Sequence, residues 1–480
     1  MVDRMVVKRR PARGRIEKDS LGTLEVAADA LWGAQTERAR RNFHLSERRM
    51  PRAFLRALGL LKAAAARSNE ELGHLPRALA RPIEKAALEV AAGQHDAHFP
   101  VDVFQTGSGT STNMNANEVI ARLASAGRTQ PIHPNDHVNF GQSSNDVIPS
   151  TILIAASLAV TEELLPALTH LCTVIDRRAR ELSRTVKTGR THLMDAVPLT
   201  FGQELSAWSA QIRDVETRLR EGAARLRRLP IGGTAVGTGL NADPAFAGKV
   251  IVHLRARTKV RFEVAKNRFA GLASPDAAGE LAATLQGLAA ALLKISNDLR
   301  LMNSGPLAGF GDIELPILQP GSSIMPGKVN PVIPEAVAMA AVDILGSAQS
   351  IAIACASGSF QLNVMLPLIA DRLLGSVSLA ARAARSLADQ AIAGFTVREA
   401  HVLSQLAKNP ILVTALNPII GYERGAAIAK KAYAQGRPIL DVAREETSLS
   451  DAELRRLLDP RALTKGGLVE APGAKKGSRR

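Results

Sequence analysis

Between Gly321 and Pro331 the chain reads Gly-Ser-Ser-Ile-Met-Pro-Gly-Lys-Val-Asn-Pro, setting two hydroxyls, an ammonium and a carboxamide among glycines and prolines that interrupt regular structure. A connecting loop has no need of Lys328 and Asn330 at a spacing that lets both donors converge on one oxyanion. A loop of this composition can close over a ligand and expel water, which strengthens the charge interactions beneath it. Closure carries Ser322 or Ser323 to a reacting carbon and brings a potential base together with charge stabilisation.

Three other polar stretches lie between apolar ones. Gln105-Thr-Gly-Ser-Gly-Thr-Ser-Thr-Asn-Met-Asn-Ala-Asn-Glu118 places Ser108, Gly109 and Thr110 at what reads as a helix start. Exposed N–H groups and the helix dipole favour a carboxylate or phosphate there, although the same residue types also serve as plain caps. Gln142-Ser-Ser-Asn-Asp-Val147 offers Ser143, Ser144 and Asn145 in a similar setting, where capping is the simpler use. Gly189-Arg-Thr-His-Leu-Met-Asp195 carries Thr191 and His192, and imidazole is the side chain best suited to exchanging a proton near neutral pH.

Helices must position these loops. Leu281, Leu285, Leu288, Leu292, Ile295, Leu299 and Met302 recur in steps of four and three, an apolar seam that needs facing helices. The stretches 151–185, 201–228, 279–303 and 335–392 are long enough to provide them, so a bundle of long helices is expected. The fold class is all-α for the most part. Boundaries drawn from pattern and turn signals give a disordered basic tail at 1–15, an N-terminal domain at 16–140, a central helical bundle at 141–396, a small helical domain at 397–467 and a second basic tail at 468–480.

The formal charge of +16 would suggest nucleic acid if the cations formed one face interleaved with aromatics, but aromatics are only 3% of residues and many cations fall in the tails. Neither nucleic acid nor membrane is expected as a partner. A positive field also serves a small anionic substrate by raising its encounter rate. Two cysteines, Cys172 and Cys355, cannot build a disulfide framework or a four-thiolate cluster in one chain, which points to a reducing cytoplasm. Neither a signal peptide nor an uncharged apolar run of about 20 residues is expected.

The loop from Gly321 to Pro331 resembles the signature loop of the fumarase/aspartase superfamily, and Gly327-Lys-Val-Asn330 is similar to its fumarase and aspartase branch. Leu31-Trp-Gly-Ala-Gln-Thr36, Ser143-Ser-Asn-Asp146, Thr191-His192 and Gly233-Thr-Ala-Val-Gly-Thr-Gly-Leu-Asn241 are similar to the class II fumarases. The resemblance spans about Ile16 to Gly467. It implies a three-domain subunit, a homotetramer whose core is the long-helix bundle, active sites assembled from three chains, and neither organic cofactor nor metal. The reaction implied is reversible hydration of fumarate to L-malate, with ammonia loss from aspartate as the alternative.

The same resemblance implies Ser322 as carbon base, His192 at the leaving hydroxyl, and Glu335 orienting that histidine across a subunit boundary. Ser108, Gly109, Thr110, Ser143, Ser144, Asn145, Thr191, Ser323, Lys328 and Asn330 would bind the dicarboxylate. His133, Asn135 and Asp136 resemble a second anion site. Gln130, Gln361 and Leu307 depart from the family pattern, where Arg, Glu and Arg are familiar.

Overall fold

The computed structural model describes residues 14–321 and 323–467. The expectations for 1–13, 468–480 and Ser322 lie outside the described residues. Arg15 does not belong to a tail. It opens the strand Arg15–Asp19, paired antiparallel with Gly22–Val26, and its guanidinium donates to the carbonyls of Ala30 at 2.5 Å and Trp32. Fixed carbonyl acceptors and a strand ladder order this residue despite its charge.

Helix dominates, and strands occur as short two-stranded pairs. Two compact units emerge, one comprising 14–166, 215–289 and 342–381, the other 167–214, 290–341 and 382–467, with the divisions falling inside long helices. In the first unit, helix Arg52–Glu71 packs against Arg77–Ala91, Ser144–Ala159 and Phe246–Thr258. Its stripe Phe54, Leu58, Leu61 and Ala65 is fully buried, as helical spacing requires. In the second unit the hairpin Val186–Thr191/Met194–Thr200 adjoins short C-terminal helices. Val186 joins Leu416, Ile428, Val442 and Leu454 in their apolar core.

All seven residues of the predicted seam, Leu281 to Met302, are buried on helix Asp276–Met302. The stretch 151–185 falls within the helices Ser144–Ala159 and Leu165–Glu181, joined by a π turn at Val160–Leu164. Pro166 explains the turn: it lacks an N–H and crowds the carbonyl one turn back, so the ladder slips. The stretch 335–392 holds two long helices, Val332–Ala356 and Leu366–Leu387. Between them Asn363 donates its amide to Ala354 O at 2.9 Å, ending the first, and Leu366 N donates to Gly107 O at 3.1 Å.

Ser144–Glu181, Asp276–Met302 and Val332–Ala356 are long and apolar enough, by length and composition, to cross a membrane. The most apolar window of the first is 72% buried within the chain, the signature of a core helix, whereas that of Val332–Ala356 is only 39% buried. Met339, Val342 and Ile353 on that last helix are 69%, 57% and 69% exposed, an apolar face left uncovered by the described residues.

Candidate active site

In the first unit the polar segments converge through side chains. Gly109 takes φ 76°, a conformation that glycine adopts without penalty, and starts helix Thr110–Ala124. Gln105 Oε1 accepts from Thr112 N at 2.9 Å and takes up one N–H of the first turn, while Ser108 Oγ and Thr110 Oγ1 lie 2.8 Å apart beside the positive end of the helix, which favours an anion. Ser143 is differently employed. It is the N-cap of Ser144–Ala159 in a reciprocal box: its Oγ accepts from Asn145 N at 3.2 Å, and Asp146 Oδ1 accepts from Ser143 N at 3.0 Å. Ser144 Oγ accepts from Asn113 Nδ2 at 3.1 Å, tying the two helix starts together. Asn145 Nδ2 donates to Ala235 O at 2.8 Å, reaching the glycine-rich loop after Leu229.

Beneath these groups lies a pair that the sequence did not reveal. Lys62 and Asp146 are both fully buried. Burial pushes Asp146 up to about 6 against three backbone N–H donors, Ser143, Gly232 and Thr234, and pushes Lys62 down to about 7 against the attraction of Asp146. The only sequence sign of Lys62 is a cation within the buried stripe of Leu-Leu-Lys-Ala-Ala. Glu118, quoted above without a role, receives the N–H groups of Gly33, Gln35 and Thr36 at 2.9 to 3.1 Å, fixing the start of helix Ala34–Asn42.

In the second unit Thr191 and His192 ride on a tight hairpin. Thr191 pairs with Met194, so His192 and Leu193 form a two-residue turn with φ 56° and 60°, the twist that a primed turn requires. The arm below is anchored by charge: Arg190 forks onto Asp312 at 2.6 and 3.0 Å, and buried Lys187 reaches Glu204 at 2.8 Å. Histidine tolerates this backbone region better than leucine does. Leu193 is 60% exposed, so Leu193→Asn loses little packing and should raise stability by about 0.5–1 kcal/mol, read as a higher denaturant midpoint. A lower midpoint would show that the turn carries no strain at this position.

The loop between Gly321 and Pro331 folds back on itself. Asn330 Nδ2 donates to Gly321 O at 2.6 Å, and Lys328 N donates to Met325 O at 3.3 Å. A Cβ on Gly321 would fall 2.0 Å from Lys328 O, so only glycine fits that crossing. One amide hydrogen of Asn330 is thus spent on the loop, and the other has no acceptor among the described residues. Lys328, Asn330 and Glu335 line a cavity of about 850 Å³, together with Asn303, Arg300 and Arg398. Ser323 and Lys328 are exposed, and Glu335 stands in the first turn of Val332–Ala356. Among the described residues no hydrogen bond joins His192 to Glu335.

The second anion segment forms a π turn at Pro134–Val138, where His133 Nδ1 accepts from Asp136 N at 3.1 Å. Asn135 and Asp136 are exposed, and His133 borders a separate cavity of about 280 Å³ with Arg15, Lys18 and Arg122. Gln130, Gln361 and Leu307 are all exposed. Among the described residues no three His, Cys, Asp or Glu side chains gather as a metal site requires.

A lyase family model matches residues 22–346, and a model of the fumarase C C-terminus matches 412–465. The chain is 60% identical over 461 residues to a class II fumarate hydratase of Xylella fastidiosa, covering 96% of this chain and 98% of that one. It is 56% identical over 454 residues to a class II fumarate hydratase of Pseudomonas aeruginosa, covering 95% and 99%. The crystal structure of a class II fumarase from Schistosoma mansoni matches with a TM-score of 0.91 at 36% identity, covering 94% and 99%. Likeness of this extent means that the chain belongs to the class II fumarase family of the fumarase/aspartase superfamily.

Proposed function

We propose that this chain catalyses the reversible hydration of fumarate to L-malate. The observation that carries the reading is the near-complete alignment, at 60% identity, with a class II fumarate hydratase. Removing the proton beside a malate carboxylate drives that carboxylate toward a doubly charged aci form, and stabilising this charge is the main catalytic task. Lys328 and the remaining amide hydrogen of Asn330 are donors suited to it, bordering a cavity roomy enough for a dicarboxylate. Ser322, assigned through the family resemblance, takes the proton from carbon as an alkoxide, and His192 protonates the departing hydroxyl directly or through water. The start of Thr110–Ala124, with Ser108 and Thr110, and the Ser144–Asn145 turn, with Thr191, hold the substrate carboxylates.

The reading extends to a homotetramer, in which the exposed apolar residues Met339, Val342 and Ile353 would pack on helices of other subunits and Glu335 of one subunit would orient His192 of another. The substrate is a small dicarboxylate, and two cysteines that form no disulfide among the described residues suit a cytoplasmic enzyme. The test is absorbance at 240 nm with L-malate and, separately, with L-aspartate: malate is expected to yield fumarate and aspartate none. Activity on aspartate alone would reverse the reading.

A further inference from the structure

We propose that Lys62 is a positioning residue of the hydratase site, holding Asn139 and Gln142 so that the Ser143–Asn145 turn stays registered against the start of Thr110–Ala124. This rests on the hydratase reading above.

Lys62 projects from helix Arg52–Glu71 into a wholly polar pocket in an otherwise apolar stripe. Its Nζ donates to Asn139 Oδ1 at 2.9 Å and Gln142 Oε1 at 3.0 Å. Asn139 Oδ1 also accepts from Asn113 Nδ2 at 3.2 Å, and that same amide reaches Ser144 Oγ at 3.1 Å. Asn139 Nδ2 donates to Gln142 O at 3.2 Å, while Gln142 Nε2 donates to Val138 O and Phe140 O at 3.1 and 3.2 Å. One ammonium therefore sits at the root of a network that ends on Ser144 and, through Asn113, on helix Thr110–Ala124.

The second half of the argument is charge. Asp146 is buried beside this network and gathers Gly232 N at 2.8 Å and Thr234 N at 3.0 Å, which brings the glycine-rich loop to the same turn. An isolated buried carboxylate is costly, and a buried ammonium offsets it. Removing the lysine alone would leave the buried carboxylate uncompensated, so its effect on alignment is separated from its effect on stability by changing Gln142, which carries no charge. Asn113 Oδ1 and Thr234 Oγ1, both buried with no hydrogen-bond partner among the described residues, mark the same region as one built for more than packing.

The experiment compares wild-type enzyme with Lys62→Met and Gln142→Leu, measuring kcat and KM for L-malate alongside thermal unfolding. Lys62→Met is expected to raise KM about tenfold with kcat within about threefold, the pattern of lost alignment shared by ground and transition states. Gln142→Leu, which leaves the buried charges intact, should raise KM in the same direction. A KM within twofold of wild type in a folded Lys62→Met enzyme would overturn the proposal. If Lys62→Met does not fold, an unchanged KM in Gln142→Leu overturns it equally. Wild-type enzyme inactive on malate would instead remove the hydratase reading on which it rests.

Discussion

Replacing Lys328 by Met should lower turnover of malate by at least about 10², with the subunit fold and assembly preserved. The ammonium is exposed on the cavity wall, and among the described residues the Lys328 side chain has no hydrogen-bond partner. Met keeps the length of the side chain, so the loss is electrostatic. The charge that Lys328 meets develops chiefly as the C–H bond breaks, so the deficit should fall on kcat more than on KM. Steady-state kinetics with sedimentation analysis of the variant decides the matter. A near-wild-type rate would remove Lys328 from the oxyanion site.

His192→Asn should cost about 10² to 10⁴ in turnover, the range for losing a general acid or base. Asparagine is the informative replacement because it tolerates positive φ, so the two-residue turn and the pairing of Thr191 with Met194 survive. What disappears is an imidazole able to move a proton. The pH profile sharpens the test: the limb of kcat set by His192 should vanish in the variant. A wild-type profile would assign proton delivery to another group.

Much of this arrangement was legible in the residues. The seam from Leu281 to Met302 announced a core helix because its period is unambiguous, and all seven positions are buried. The polar loops stood out because Ser, Thr, Asn and Gly have little reason to cluster between apolar helices unless they cap, turn or bind. Ser143 caps its helix with its own hydroxyl, whereas the start at Gly109 draws on the Gln105 amide oxygen, and no pattern of residue types distinguishes these outcomes in advance. Lys62 was hidden for a different reason. One cation in a helix is usually solvated, and its burial depends on Asn139 and Gln142, about eighty positions away, which no local period encodes. Arg15 was misjudged because a run of cations looks like a tail until the carbonyls that receive it are known. The pairing expected of His192 with Glu335 has no hydrogen bond among the described residues of the single subunit.

The crossing of Gly321 with Lys328, fastened by the Asn330 amide, has an entropic meaning. A flap tethered only at its flanks would lose conformational freedom, about 1–2 kcal/mol per residue, each time it shut on a substrate. Knotting its base at a glycine moves that cost to the folding of the subunit. Whatever swing the segment makes can then be that of a shaped hatch rather than a slack cord, and any side chain at position 321 would loosen the hatch by springing its own latch.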